Sequence, residues 1–131
     1  MQSPLLEFES SAFPIEPGED ESTNPGVYGK SLASWLAAQL AQKGHPVGAI
    51  FAEDFGWCIQ LSSKPHALFV ACAGNAEETG RWRVFVFAEG GFVARLLGKD
   101  TREETVASLF DVVRQVLHDA TGIEALRELP R

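Results

Sequence analysis

Glu53 and Asp54 stand side by side ahead of Phe55, Gly56 and Trp57. Neighbouring carboxylates whose surroundings differ can divide the roles of acid and base. Successive residues of a strand point to opposite faces, so these two converge on one substrate only where a turn redirects them. The same five residues also fit a binding corner, in which Gly bends the chain beside large aromatic rings, and a structural turn in which Asp54 holds backbone N–H groups. A second constellation is Arg81, Trp82 and Arg83, because Trp and Arg dominate interface hot spots. The plainer alternative puts Trp82 in the core with both Arg solvated. Trp57 and Trp82, on strands, are better placed to be exposed anchors than Trp35, which belongs to a helix stripe. The candidate binding residues are therefore Glu53, Asp54, Trp57, Arg81, Trp82 and Arg83; Glu53 and Asp54 are the weak catalytic candidates.

Other chemistries find less support. His45, His66 and His118 lie 21 and 52 residues apart, and Cys58 and Cys72 lie 14 apart, so no tight ligand pair anchors a zinc site. Both cysteines read as small core hydrophobes. A G-x-S-x-G nucleophile elbow is missing. The loop from Gly74 to Gly80 has neither a Lys-Ser/Thr pair nor dinucleotide-type Gly spacing, and Glu77 and Glu78 in it would repel phosphate. No cofactor and no metal are expected.

The chain has 131 residues, 45% of them apolar and 22% charged, which suits one domain over 1–131 that folds without metals or disulfides. Its net charge of −7 is uneven. Before Asn24 lie six acids (Glu7, Glu9, Glu16, Glu19, Asp20 and Glu21) and no Lys or Arg, whereas the remainder sets 12 acids against 11 bases. An acidic segment on a nearly neutral body argues against nucleic acid as a partner. It reads as an exposed loop over residues 16–24, or else as a docking surface for a basic protein. The longest apolar run, Ala67 to Ala73, is seven residues, short of a membrane span. With no secretory signal at the N-terminus, a cytoplasmic location is the default.

These residues must be positioned by a handful of elements. Leu6, Phe8, Ala12 and Phe13 suggest a strand over Leu5 to Ile15 with a slip near Ser10 and Ser11. Asn24 and Pro25 form a helix-start signal, and Tyr28, Leu32, Trp35, Leu36 and Leu40 give the apolar stripe of a helix reaching Lys43, stopped by Gly44. Gly29 inside that helix implies a close approach to the sheet near Phe8 or Trp57. Short strands follow over Val47 to Ala52, Trp57 to Leu61, Ala67 to Ala73 and Trp82 to Phe87; Phe92 to Leu97 is a further edge strand or a packed loop. Capping-box spacing at Asp100 or Thr101 opens a second helix with a stripe of Val106, Leu109, Phe110, Val113 and Leu117, and Ile123, Leu126 and Leu129 read as one more helical turn. The order β-α-β-β-β-β-α predicts an α+β two-layer sandwich, an antiparallel sheet of four to six strands with both helices on one face.

The run from Asn24 to Ala37, with Glu53 to Trp57 about twenty residues later, resembles a group of small uncharacterised bacterial proteins with an N-P-G-x-x-G-x-x-L-A-x-W-L helix start and an E-D-W-G-W corner. Phe55 stands where that corner has its first Trp. The resemblance covers residues 24 to 61, implies a cytoplasmic bacterial α+β domain, and brings no reaction with it. A non-enzymatic protein-binding module, adaptor- or immunity-like, is the leading expectation. A small enzyme using Glu53 and Asp54, and a small-ligand domain with a pocket between helix and sheet, are the alternatives. The oligomeric state is not encoded in any of these patterns.

Overall fold

Along Arg81–Glu89, Trp82, Val84, Val86 and Ala88 are buried while Arg81, Arg83, Phe85 and Phe87 between them are only half-buried, the period of two that a strand imposes. That alternation defines the two sides of the molecule. The computed structural model describes residues 1–61, 67–89 and 102–130. In chain order it contains β1 (Leu5–Glu9), β2 (Val27–Tyr28), α1 (Lys30–Gln42), β3 (Ile50–Glu53), β4 (Gly56–Gln60), β5 (Ala67–Asn75), β6 (Arg81–Glu89), α2 (Arg102–Asp119) and β7 (Glu124–Leu129).

Short turns join β3 to β4 and β5 to β6, and every pairing is antiparallel, giving one sheet in the order β3-β4-β5-β6-β1-β7. β2 continues the β4 side of β5, pairing Val27 with Asn75 and Tyr28 with Gly74. Registers Trp57↔Cys72↔Val84↔Leu6 and Ile59↔Val70↔Val86 put these side chains in rows on one face. Leu32, Leu36 and Leu40 of α1 and Leu109, Val113 and Leu117 of α2 join them in a single buried cluster. Each fully buried Leu contributes roughly 2 kcal/mol. Both helices thus cover one side of the sheet, the α+β two-layer arrangement the sequence predicts. Among the described residues no helix is long and apolar enough to cross a membrane.

The described residues form seven strands, more than the four to six expected, and both surprises have local causes. Asn24 does not start the helix. Val27 and Tyr28 pair with β5 instead, and α1 begins only after Gly29. At the other end, Gly122 (φ +82) follows α2, and Leu126 and Leu129, expected with Ile123 to add a helical turn, lie instead in β7, which pairs with β1. Between the pairs Glu7↔Arg127 and Glu9↔Glu124, β7 holds one extra residue, and Ala125 there has φ +54. This bulge breaks the period of two, so Leu126 and Leu129 fall at a spacing that mimics a helix. β1 itself stops at Glu9, short of the expected Ile15. The possible strand over Phe92 to Leu97 and the caps at Asp100 and Thr101 lie outside the described residues.

The acidic segment is not simply an exposed loop. Glu19 is only 5% exposed; its Oε2 accepts from the Gly29 N–H (3.1 Å) and the Lys30 N–H (3.0 Å), and its Oε1 accepts from the Glu16 N–H (2.8 Å). Helix N-termini expose unpaired N–H groups at the positive end of a dipole, and a carboxylate satisfies both. Asp20 accepts from the Gly26 N–H at 2.9 Å, and Glu16 pairs with Lys30 at 3.1 Å. Part of the acidity that composition assigns to solvent or to a partner therefore seats α1.

Candidate functional site

Among the described residues, the side of the sheet away from α1 and α2 carries a field of phenylalanines. Alternation puts Phe51, Phe69, Phe85 and Phe87 on this face, and Phe55 joins them from the turn between β3 and β4. Phe69 and Phe87 stack with centroids 5.0 Å apart, Phe51 meets Phe69 edge-on at 5.7 Å, and Phe85 lies 5.8 Å from Phe87. Phe55 reaches over Phe85 (5.9 Å) and Phe87 (6.2 Å). Small residues flank its path: the Cβ of Ala73 lies 3.0 Å from where a Gly56 Cβ would stand, and Ala71 pairs with Phe85. The ring of Phe55 is held by its neighbours yet 43% exposed, beside a groove of about 490 Å³ that Met1, Gln2, Phe85, Phe87 and Glu89 also line.

The corner singled out in the sequence divides between the two faces. Glu53 pairs with Gly56 across the tight turn, and Asp54 and Phe55 form its exposed tip. The Asp54 carbonyl accepts from the Asn24 N–H at 2.9 Å, fixing the turn to the segment that precedes β2. Trp57 turns the other way, toward α1, with Lys30 Nζ 5.4 Å from its ring centroid. Its indole N–H is buried without a hydrogen-bond partner among the described residues. Glu53 and Asp54 are both exposed, without the enclosed surroundings that acid–base catalysis draws on.

Arg81, Trp82 and Arg83 are occupied within the fold. Trp82 is 4% exposed; its indole N–H donates to the Ser10 carbonyl (3.2 Å) and its ring meets Phe13 edge-on at 5.9 Å, so it is part of the core and not an exposed anchor. Arg81 pairs with Glu78 (2.8 Å) and Glu9 (3.5 Å), and Arg83 with Glu7 (2.9 Å) and Glu78 (3.5 Å). The opposite oxygen of Glu7 accepts from Arg127. Glu7 thus bridges β6, β1 and β7 as a buried carboxylate between two guanidinium groups, a link that sequence reading, which saw Glu7 only as one of six acids, does not reveal. A larger groove, about 750 Å³, runs past Glu9, Ser10, Phe13, Glu78, Arg81 and Trp82, and its arginine is already paired with Glu9 and Glu78.

The hydrogen bond from Arg127, followed by that from Arg83, holds the Glu7 carboxyl below its ordinary value of 4.5 despite burial. A lowered folded-state value means that the stabilisation is complete above the unfolded value and disappears as pH falls through the folded one. Glu7→Gln is therefore expected to melt at a lower temperature than wild type near neutrality and to lose less on acidification below about pH 4.5, a difference that thermal melts across pH would register.

Cys58 and Cys72 sit in adjacent strands but on opposite faces of the sheet, both fully buried and unbonded. Burial pushes the Cys58 thiol up to about 12, with Glu53 and Glu89 adding to the rise, and burial raises Cys72 as well. Neither is a nucleophile in this state. Among the described residues no group of three or more His, Cys, Asp or Glu gathers as a metal site would. Comparison with protein-family models, with curated proteins and with solved structures found no match.

Proposed function

We propose that this chain is a non-enzymatic protein-binding module, adaptor- or immunity-like, that meets its partner with the phenylalanine face of its sheet. The supporting observation is Phe55, a large ring presented to solvent on a tight turn and braced from beneath by Phe85 and Phe87. A contiguous apolar patch with a polar rim is the ordinary mark of an interaction surface. A braced ring also has little side-chain freedom left to lose when a partner covers it. Membership in the bacterial group with the E-D-W-G-W corner belongs to the same proposal, since a large aromatic residue at position 55 is what that group would place on this face. The carboxylates of Glu53 and Asp54 then form its rim and have no catalytic role.

Phe55→Ser tests the reading. Hot-spot aromatics are worth about 2 kcal/mol or more, so capture of a stoichiometric partner from the native cytoplasm should fall about 30-fold. The ring lies on the surface, so the melting temperature should stay within a few degrees of wild type. Undiminished capture by the variant, or the absence of any stoichiometric partner of the wild type across salt conditions, would overturn the reading.

A further inference from the structure

The charges around the phenylalanine face are unevenly engaged. On this side of the sheet Arg81, Arg83 and Arg127 are all taken up by Glu7, Glu9 and Glu78. Glu53, Asp54 and Glu89 are exposed and belong to none of these ion pairs. Alternation puts Glu53 on the side of Phe51 and Glu89 on the side of Phe87, so they stand at opposite ends of the aromatic field. Both act electrostatically on Cys58, which lies between them. Asp54 adds a third carboxylate at the tip that carries Phe55. Among the described side chains, the apolar centre is thus flanked by three carboxylates outside these ion pairs, while the Met1 terminus lines the groove beside Glu89.

Resting on the reading of this face as a contact surface, we infer that its partner is a protein segment presenting an apolar or aromatic anchor flanked by Lys or Arg. Complementary charge steers such a segment to the patch and disfavours competitors. A second copy of this chain fits poorly, because two-fold pairing of the face would bring two sets of free carboxylates around one apolar centre. Nucleic acid is repelled by the same rim. The occupant chosen by charge is a basic, apolar-centred segment of another protein.

The inference is tested by fluorescence anisotropy on the full chain with two labelled peptides that share a Trp-Leu centre, one flanked by Lys and one by Glu. Wild type should bind the Lys-flanked peptide at least about tenfold more tightly than the Glu-flanked one, and the preference should shrink as salt screens the rim. Glu53→Lys combined with Glu89→Lys, at two exposed positions, should reverse the preference while leaving the circular dichroism spectrum unchanged. Equal binding of both peptides, no binding of the Lys-flanked peptide, or an unreversed preference would overturn the inference. So would a dimer that sediments as a monomer once Phe55→Ser is introduced, which would assign the face to a second copy. If the charge preference is missing while Phe55→Ser still abolishes capture of the cellular partner, only the inference falls; if Phe55→Ser leaves capture intact, the reading of the face falls with it.

Discussion

Gly29→Ala is expected to leave little folded protein. A Cβ at position 29 would stand 2.2 Å from the Cys72 carbonyl oxygen and 2.9 Å from its carbon, and both are backbone atoms of β5, buried within the sheet. Neither can rotate away as a side chain would. The residue also has φ +156, outside the conformations that L side chains readily adopt. Overpacking and backbone strain together should cost about 3–5 kcal/mol, a large share of the 5–15 kcal/mol that holds a typical domain together. Gly44→Ala is the control. Gly44 has φ +87 but open space around it, so its replacement should cost only about 1 kcal/mol. Urea denaturation of the two variants separates the clash from the conformational term, and comparable stability for both would refute the close approach of the α1 N-terminus to β5.

Glu19→Ala is the second large loss. Three backbone N–H groups, those of Glu16, Gly29 and Lys30, donate to this one carboxylate, two of them at the start of α1. Removing a buried acceptor leaves donors without partners, and bonds to a charged group are worth more than neutral ones. A cost of about 3 kcal/mol is expected, against roughly half of that for Glu19→Gln, which keeps one carbonyl acceptor. Glu21→Ala, at an exposed position two residues away, should stay within about 0.5 kcal/mol of wild type. Equal effects at 19 and 21 would mean that the acidic segment does not cap α1.

The contrast between Glu19 and Glu21 also shows where sequence reading stops. Periodicity located the apolar stripes of both helices and the alternation of Arg81–Glu89, because burial on one side writes a repeat into the chain. Those two stripes and four short strands were enough to specify helices on one face of an antiparallel sheet. Contacts between residues far apart in sequence leave no such repeat. The cap on α1 comes from a residue ten positions before Gly29, and nothing local separates Glu19 from its acidic neighbours. The Arg83–Glu7–Arg127 link depends on β7, whose bulge disguises it as a helical turn.

The site was legible in part. The corner from Glu53 to Trp57 stood out by composition, but its division into Phe55 on the phenylalanine face and Trp57 beneath α1 follows from the turn, which sequence does not orient. Phe85 and Phe87 read as facing away from Val84 and Val86. That they join Phe51, Phe55 and Phe69 in one field could be seen only once strand order and register were known. Trp82, chosen for its Arg neighbours, proved to be a core residue because its strand turns it toward Phe13 and Ser10.

Hydroxyl-radical footprinting of the native protein, read residue by residue with and without the captured partner, probes the phenylalanine face most directly. Phe55 should oxidise much faster than the buried Phe8 and Phe110 in the protein alone, and should become protected in the complex while exposed positions on the helices, such as His118, keep their rates. A Phe55 as slow as Phe8 in the isolated protein, or one whose rate the partner leaves unchanged, would contradict the assignment of this face as the contact surface.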